Sequence, residues 1–450
     1  MTEPTTRHAY VLGGNRIPFA RAGGAYAGVS AQDLLTAALD GLVARFSLQG
    51  EVLGEVAGGS VLKLASDLNL TRESALGTPL SPATPAIDLS KACATGLETV
   101  IHVSNAIRLG QSDSAIACGV DTASDAPIEV TPRLRRVLHR AFSAKTPVQR
   151  LKALTGIRPA DLAPSAPRNA EPRTGLSMGD HQALTAARWG ITREDQDRLA
   201  LESHRKLAQA YADGLMDDLV SGYRGLAKDQ NLRPDSSLEK LASLKPVFGT
   251  RNPEVAEPTM TAGNSTPLTD GASAVLLGSA DWAAQHGLPR LARIVDSRTA
   301  AVDFVHGDEG LLMAPAHAVP ALLDANGLTL QDIDLLEIHE AFASTVLATF
   351  KAWEDDEYCR TVLGRDGALG AVDRERLNVA GSSLAAGHPF AATGGRIVAT
   401  LATLLNRRAR ETGKAQRGLI SICAAGGQGT VALLEADPAD LGLTAEGEKR

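Results

Sequence analysis

The sequence predicts an α/β protein: a parallel or mixed sheet with helices on its faces, arranged as two like halves with an insertion between them. Three observations predict it. Short apolar runs at residues 9–14, 114–121, 334–339 and 419–423 have the length and composition of buried strands. A strand, turn, helix, strand plan is used twice, once around Cys93 and again around Gly387-His388-Pro389, so the two halves should present similar helix starts. Residues 128–259 break that alternation and read as an inserted unit. The halves are then residues 1–127, completed by 260–287, and residues 288–450.

Taken in order, residues 9–14 form a first strand whose Gly13-Gly14-Asn15 end lacks the G-x-G-x-x-G spacing of a dinucleotide site. Residues 30–45 place leucine and alanine at helical spacing, and 51–61 alternate strand-like residues with glycine. Asp88-Leu-Ser-Lys-Ala-Cys93-Ala-Thr-Gly96 then leads into an apolar-periodic segment ending near Gly110. A thiol at a helix start is favoured as thiolate by free N–H groups and the positive helix end. Taken alone, a cysteine beside alanine and glycine is more often a small buried hydrophobe.

Residues 131–152 carry Arg133, Arg135, Arg136, Arg140, Lys145, Arg150 and Lys152 without an acid, interleaved with Leu134, Val137, Leu138 and Phe142. This basic amphipathic segment is a solvated helix face or a surface for an anionic partner. Residues 159–172 are proline-rich and loop-like, and 192–213 return to a polar helical pattern. In the second half, a strand ends at His339, a helix-like stretch covers 340–353, and Ile397, Val398, Leu401, Leu404 and Leu405 make one apolar helix face. The strand 419–423 ends in the Gly-rich turn Ala424-Ala-Gly-Gly-Gln-Gly429.

Composition limits the function classes. The chain has 450 residues, long enough for roughly three domain-sized units. Its net charge of −7 argues against nucleic acid as a partner. No apolar run is long enough to cross a bilayer, and residues 1–8 lack the apolar core of a presequence, so a cytoplasmic, bacterial location is expected. Four cysteines (Cys93, Cys118, Cys359, Cys423) without C-x-x-C spacing argue for free thiols and against a disulfide framework or a metal site.

Cys93, His339, His388 and Cys423 all sit at strand ends or helix starts beside glycine, alanine or proline, where backbone can approach a ligand closely. Each alone has an ordinary structural explanation. Together, Cys-Ala-Thr-Gly at 93–96, His-Glu-Ala-Phe at 339–342, Gly-His-Pro-Phe-Ala-Ala-Thr-Gly-Gly-Arg at 387–396 and Cys-Ala-Ala-Gly-Gly-Gln-Gly at 423–429 resemble the thiolases. The segment 261–272 is similar to the one returning from that family's loop domain. The His-Glu-Ala-Phe version resembles the 3-ketoacyl-CoA thiolases of the trifunctional-enzyme β-subunit type, as does the basic insertion.

That resemblance implies a thiolase-like fold with mixed five-stranded sheets and helices in layers, plus an inserted loop domain. It implies cleavage of 3-ketoacyl-CoA with CoA, through Cys93 as nucleophile, His388 as its base and Cys423 as acid/base at the acetyl carbon. His339 would hold an enolate oxygen, and the backbone N–H groups of Cys93 and Ala425 a tetrahedral oxyanion. Ser177, Met178, Thr266, Ala341 and Phe342 would line the CoA channel, position 177 being serine where many relatives have histidine. CoA and acyl-CoA would be substrates, with no cofactor. The resemblance also implies a homodimer, with a hydratase/dehydrogenase α subunit and a membrane surface near 131–152 as further partners. A biosynthetic acetoacetyl-CoA thiolase is the nearest alternative. A decarboxylating condensing enzyme would not need Cys423, and a silent acyl-CoA-binding subunit would be expected to have lost a reactive group.

Overall fold

The computed structural model describes residues 7–164 and 169–442, so parts of the expectations for residues 1–8 and 159–172 lie outside the described residues. Ten strands are arranged in one continuous sheet: β1 (Tyr10–Arg16), β2 (Ala20–Arg21), β3 (Glu55–Gly58), β4 (Ala86–Asp88), β5 (Ser114–Thr122), β6 (Thr269–Gly278), β7 (Ala292–Ala301), β8 (Leu335–Ile338), β9 (Gln416–Ala424) and β10 (Gln428–Ala436). The order is β4-β3-β5-β6-β1-β7-β10-β9-β8, with β2 pairing β6.

The order repeats. In the first half β3 runs parallel to β4 and β5 while β5–β6 and β6–β1 are antiparallel. In the second, β8–β9 is parallel, and β9–β10 and β10–β7 are antiparallel. The first half therefore has five strands along this order, as expected, with the two-residue β2 added beside β6. In the second half the fifth is reduced to one parallel bridge, Leu336 to Leu377, because Asn378 turns away with φ of 45°. The halves meet where β1 pairs β7 through Tyr10–Arg293 and Val11–Ala292.

Strands β5, β6, β9 and β10 are buried along almost their whole length, which requires cover on both faces. Helix Ala31–Arg45, capped by Ser30 Oγ, packs on β1, β5 and β6, and helix Ala314–Ala325 on β7, β9 and β10. Helices Thr95–Arg108 and Ala392–Thr412 pack on the strands and on each other. Glycine is required where their first turns meet. A Cβ on Gly96 would lie 2.4 Å from the Ala391 carbonyl oxygen, and one on Gly394 2.2 Å from the Leu97 nitrogen. Close packing of these two helix starts brings the Cys93 turn beside the His388 turn.

Between β5 and β6 the described residues add helices and loops but no strand to the sheet. The basic segment is two helices, Pro132–Ser143 and Pro147–Leu154, each with proline in the first turn and a threonine cap. Helices Met178–Arg188 and Arg193–Ala212 pack against helix Ala343–Glu354, which tethers this unit to the second half.

Candidate active site

Cys93 sits in a constrained turn. Ala92, immediately before it, has φ of 45°, a conformation that costs a non-glycine residue about 1 kcal/mol or more. Thr95 holds the turn from the other side: its Oγ1 accepts from the Lys91 N–H at 2.8 Å and donates to the Ala92 carbonyl at 2.7 Å. The helix starts at Thr95, two residues after the thiol. Burial pushes the Cys93 thiol up to about 12, although the backbone N–H groups of Ala425 and Cys93 itself act in the other direction. Desolvation thus opposes the thiolate expected at a helix start and favours the thiol.

His388 follows Gly387, whose φ of 100° makes the turn that aims the ring inward. Its N–H donates to Thr269 Oγ1 at 2.8 Å, and its Nδ1 lies 2.6 Å from Thr393 Oγ1. Burial, with the Arg396 charge second, lowers its pKa to about 3, so the imidazole is neutral at ordinary pH. Its Nε2 has no protein partner. His339, at the end of β8, stands with its ring centroid 4.1 Å from that of His388. Its Nδ1 lies 2.9 Å from Ser383 Oγ, its Nε2 is also without a protein partner, and burial holds it neutral. Cys423 lies near the end of β9, with its thiol raised by burial and by the proximity of Cys93. The following β9–β10 turn passes through Gly426 and Gly427, both left-handed.

Cys93, His388 and Cys423 meet where two cavities adjoin. One, of about 150 Å³, has Cys93, His388 and Cys423 in its wall. The other, of about 530 Å³, is apolar, lined by Val61, Leu62, Ala126, Leu268 and Phe390. Cys93, Met178 and Ala425 belong to both. A thiol with a neutral imidazole, a second thiol and two backbone donors beside it can take an acyl group and move a proton at an adjacent carbon.

Residues 9–281 match the thiolase N-terminal domain family, and residues 288–436 match the thiolase C-terminal domain family. The chain belongs to the thiolase family. A 3-ketoacyl-CoA thiolase of Pectobacterium carotovorum is 41% identical over 444 residues, covering 97% of this chain and 98% of that one. One of Yersinia pestis is 40% identical over 433 residues, covering 95% and 96%. Among solved structures, the Bacillus anthracis acetyl-CoA acetyltransferase superposes with a TM-score of 0.77 at 28% identity, covering 96% of this chain and 99% of that one. Human mitochondrial 3-ketoacyl-CoA thiolase in complex with CoA gives 0.76 at 26%, covering 96% and 98%.

In this thiolase, Met178, Thr266, Ala341 and Phe342 all line the smaller cavity, with Phe248 edge-on to Phe342 at 5.8 Å. Ser177 does not. Its hydroxyl caps helix Met178–Arg188 by accepting from the Asp180 N–H at 3.0 Å and donates to the Asp180 carboxylate at 2.7 Å. His339, 4.1 Å from His388 between ring centroids, is in the wall of neither of these two cavities.

Sequence reasoning missed Glu171, a buried residue of the loop unit whose carboxylate accepts the Gly426 N–H at 2.7 Å beside Ala425. It also missed Phe390, although that residue stands inside the Gly-His-Pro-Phe motif. A third cavity, of about 280 Å³, has a mixed polar and apolar wall that includes Arg21, His204, Arg233 and Lys240, the last paired with Asp235 at 2.6 Å, and adjoins the smaller cavity at Pro267. Burial and the neighbouring Arg233 both lower the pKa of Arg21, and burial with both arginines takes His204 to about 4. Cations held this close favour an anion.

The resting-state protonation can be checked directly. Alkylation of Cys93 by iodoacetamide should accelerate about tenfold per pH unit from pH 7 to 10, without levelling near the ordinary thiol range of about 8.5. A plateau at pH 6 to 7, read by mass spectrometry of the Cys93 peptide, would instead reveal a preformed thiolate–imidazolium pair.

Proposed function

We propose that this thiolase is an acetyl-CoA C-acyltransferase that cleaves 3-ketoacyl-CoA with CoA to acetyl-CoA and a shortened acyl-CoA. The observation carrying this reading is the convergence of Cys93, His388 and Cys423 on one cavity wall. Cys93 Sγ attacks the 3-keto carbon as its proton passes to His388 Nε2. Transfer accompanies attack, because burial disfavours both the free thiolate and the imidazolium. For Nε2 to accept, the His388 proton must be on Nδ1, donated to Thr393 Oγ1. The tetrahedral oxyanion is held by the N–H groups of Cys93 and Ala425, which already lie against the sulfur.

Cleavage of the Cα–Cβ bond leaves acyl-Cys93 and the enolate of acetyl-CoA, whose oxygen is stabilised by His339 through a water. Cys423 protonates its carbon, and CoA then collects the acyl group. The reverse sequence is a Claisen condensation. Thiolysis measured over 3-ketoacyl-CoAs from four carbons upward tests this. Absence of turnover with every chain length removes the reading, as does malonyl-CoA consumption without thiolysis.

The third cavity, with its arginines, is the proposed seat of the CoA phosphates, on charge grounds, and Met178, Thr266, Ala341 and Phe342 the wall along its pantetheine. Arg233→Ala should raise KM for CoA about tenfold and leave kcat within about twofold, the expectation for a charged contact made equally in ground and transition states. An unchanged KM takes this cavity off the CoA path.

A homodimer is proposed with support from the unpaired outer edge of β4. None of the helices among the described residues is long and apolar enough to cross a membrane. The two basic helices expose Phe142 (82%) and Val148 (78%) among their arginines, chemistry suited to a peripheral, anionic membrane surface for a cytoplasmic enzyme. The same face could receive a hydratase/dehydrogenase α subunit. Flotation with anionic vesicles and sizing of co-expressed subunits test these partners; a free dimer in both measurements removes them.

A further inference from the structure

Ser383, at the start of the short helix Ser383–Ala386, touches both His339 and Arg396. Arg396 Nη2 donates to Ser383 Oγ at 3.0 Å and to Ser382 Oγ at 3.2 Å. A guanidinium has only donors, so one lone pair of Ser383 Oγ is committed to accepting. The hydroxyl has a single proton. His339 Nδ1, at 2.9 Å, is the one acceptor within hydrogen-bond reach among the described residues. Both side chains are buried, and a buried hydroxyl proton without an acceptor costs about 1–3 kcal/mol. The Ser383 proton therefore belongs on the His339 side.

We infer that Arg396 and Ser383 form a positioning relay that fixes His339 as the tautomer with its proton on Nε2, making it a donor toward the reacting carbonyl. The consequence matches the second observation at this ring: Nε2 is buried and has no hydrogen-bond partner among the described residues, so its N–H can serve an oxygen or a bridging water. Thr393, the hydroxyl partner of His388, has no cationic donor on its oxygen and can accept from Nδ1–H. Two adjacent imidazoles thus carry their protons on opposite nitrogens, one suited to donate and the other to accept. Arg396 is itself buried, with Glu337, Asp229 and Glu340 as the acidic groups nearby. The relay rests on the proposed enolate-holding role of His339, but its first test does not depend on activity.

Selective 15N labelling of histidine in the wild-type protein, with ring nitrogens assigned by NMR, should show His339 protonated on Nε2 and bare on Nδ1. Ser383→Ala should leave the fold in place, because Arg396 keeps its Ser382 contact, and should convert His339 to a mixture of tautomers. In the same variant kcat should fall about 10- to 100-fold with KM for 3-ketoacyl-CoA nearly unchanged, as for partial loss of an oxyanion donor. Ser383→Thr should restore both readouts. A proton on Nδ1 of His339 in the wild type overturns the relay, as does an unaltered tautomer in Ser383→Ala. If the tautomers behave as stated while no 3-ketoacyl-CoA is turned over, the relay stands and the proposed function falls.

Discussion

Cys93→Ala should abolish acyl-enzyme formation and lower thiolysis by about 10⁴-fold or more, the scale seen when a covalent nucleophile is removed from a group that acts as a unit. The fold should survive. Cys93 is only partly buried and faces the two cavities, so its sulfur is not enclosed in packing. The Thr95 clamp on Lys91 and Ala92 is independent of the thiol, as are the Gly96 and Gly394 contacts that join the two helix starts. Intact-mass measurement after incubation with a medium-chain acyl-CoA provides the readout. Wild type should gain the acyl mass on the peptide containing residue 93, and the variant should gain none while its thermal unfolding midpoint moves little. An acyl adduct at undiminished yield in Cys93→Ala would place the nucleophile elsewhere, Cys423 being the first to examine.

The sequence made most of this centre legible through short apolar strands ending in small residues, and through the repetition of that plan. The other strands were harder to see for a physical reason. β6 reads Thr-Asp-Gly-Ala-Ser-Ala at its start because helix Ala392–Thr412 presses on it: Ser273 Oγ donates to the Ala392 carbonyl at 2.6 Å, and a Cβ on Gly395 would lie 2.5 Å from Ser273 Oγ. Close packing selects small residues, which locally resemble a turn. β7 is part exposed along most of its length, so no apolar run marks it. Glu171 and Ser383 act through partners 255 and 44 residues away, and no spacing rule links them. At Cys93 the helix-end electrostatics can be inferred from sequence, while the desolvation that opposes them cannot. In the folded site burial is the larger effect.

Cys423→Ala separates the two chemistries of the proposed cycle and carries the second largest effect. Transfer of an acyl group between CoA and Cys93 needs the nucleophile, His388 and the oxyanion donors, whereas making or breaking the carbon–carbon bond also needs a group that moves a proton at the acetyl α-carbon. Cys423, proposed for that second task, shares the smaller cavity with Cys93 and His388 but is absent from the wall of the larger apolar cavity. Its raised pKa makes it a proton donor at rest and a strong base once ionised. The variant should therefore exchange labelled CoA into acyl-CoA within about tenfold of wild type, while thiolysis and acetyl-CoA condensation fall about 10²- to 10⁴-fold, the usual range for one general acid/base. Exchange of acetyl-CoA methyl protons with deuterated solvent should fall with the condensation. Equal loss of CoA exchange and carbon–carbon chemistry would mean that Cys423 supports Cys93 rather than acting at the α-carbon, and would leave the proton transfer at that carbon to another group.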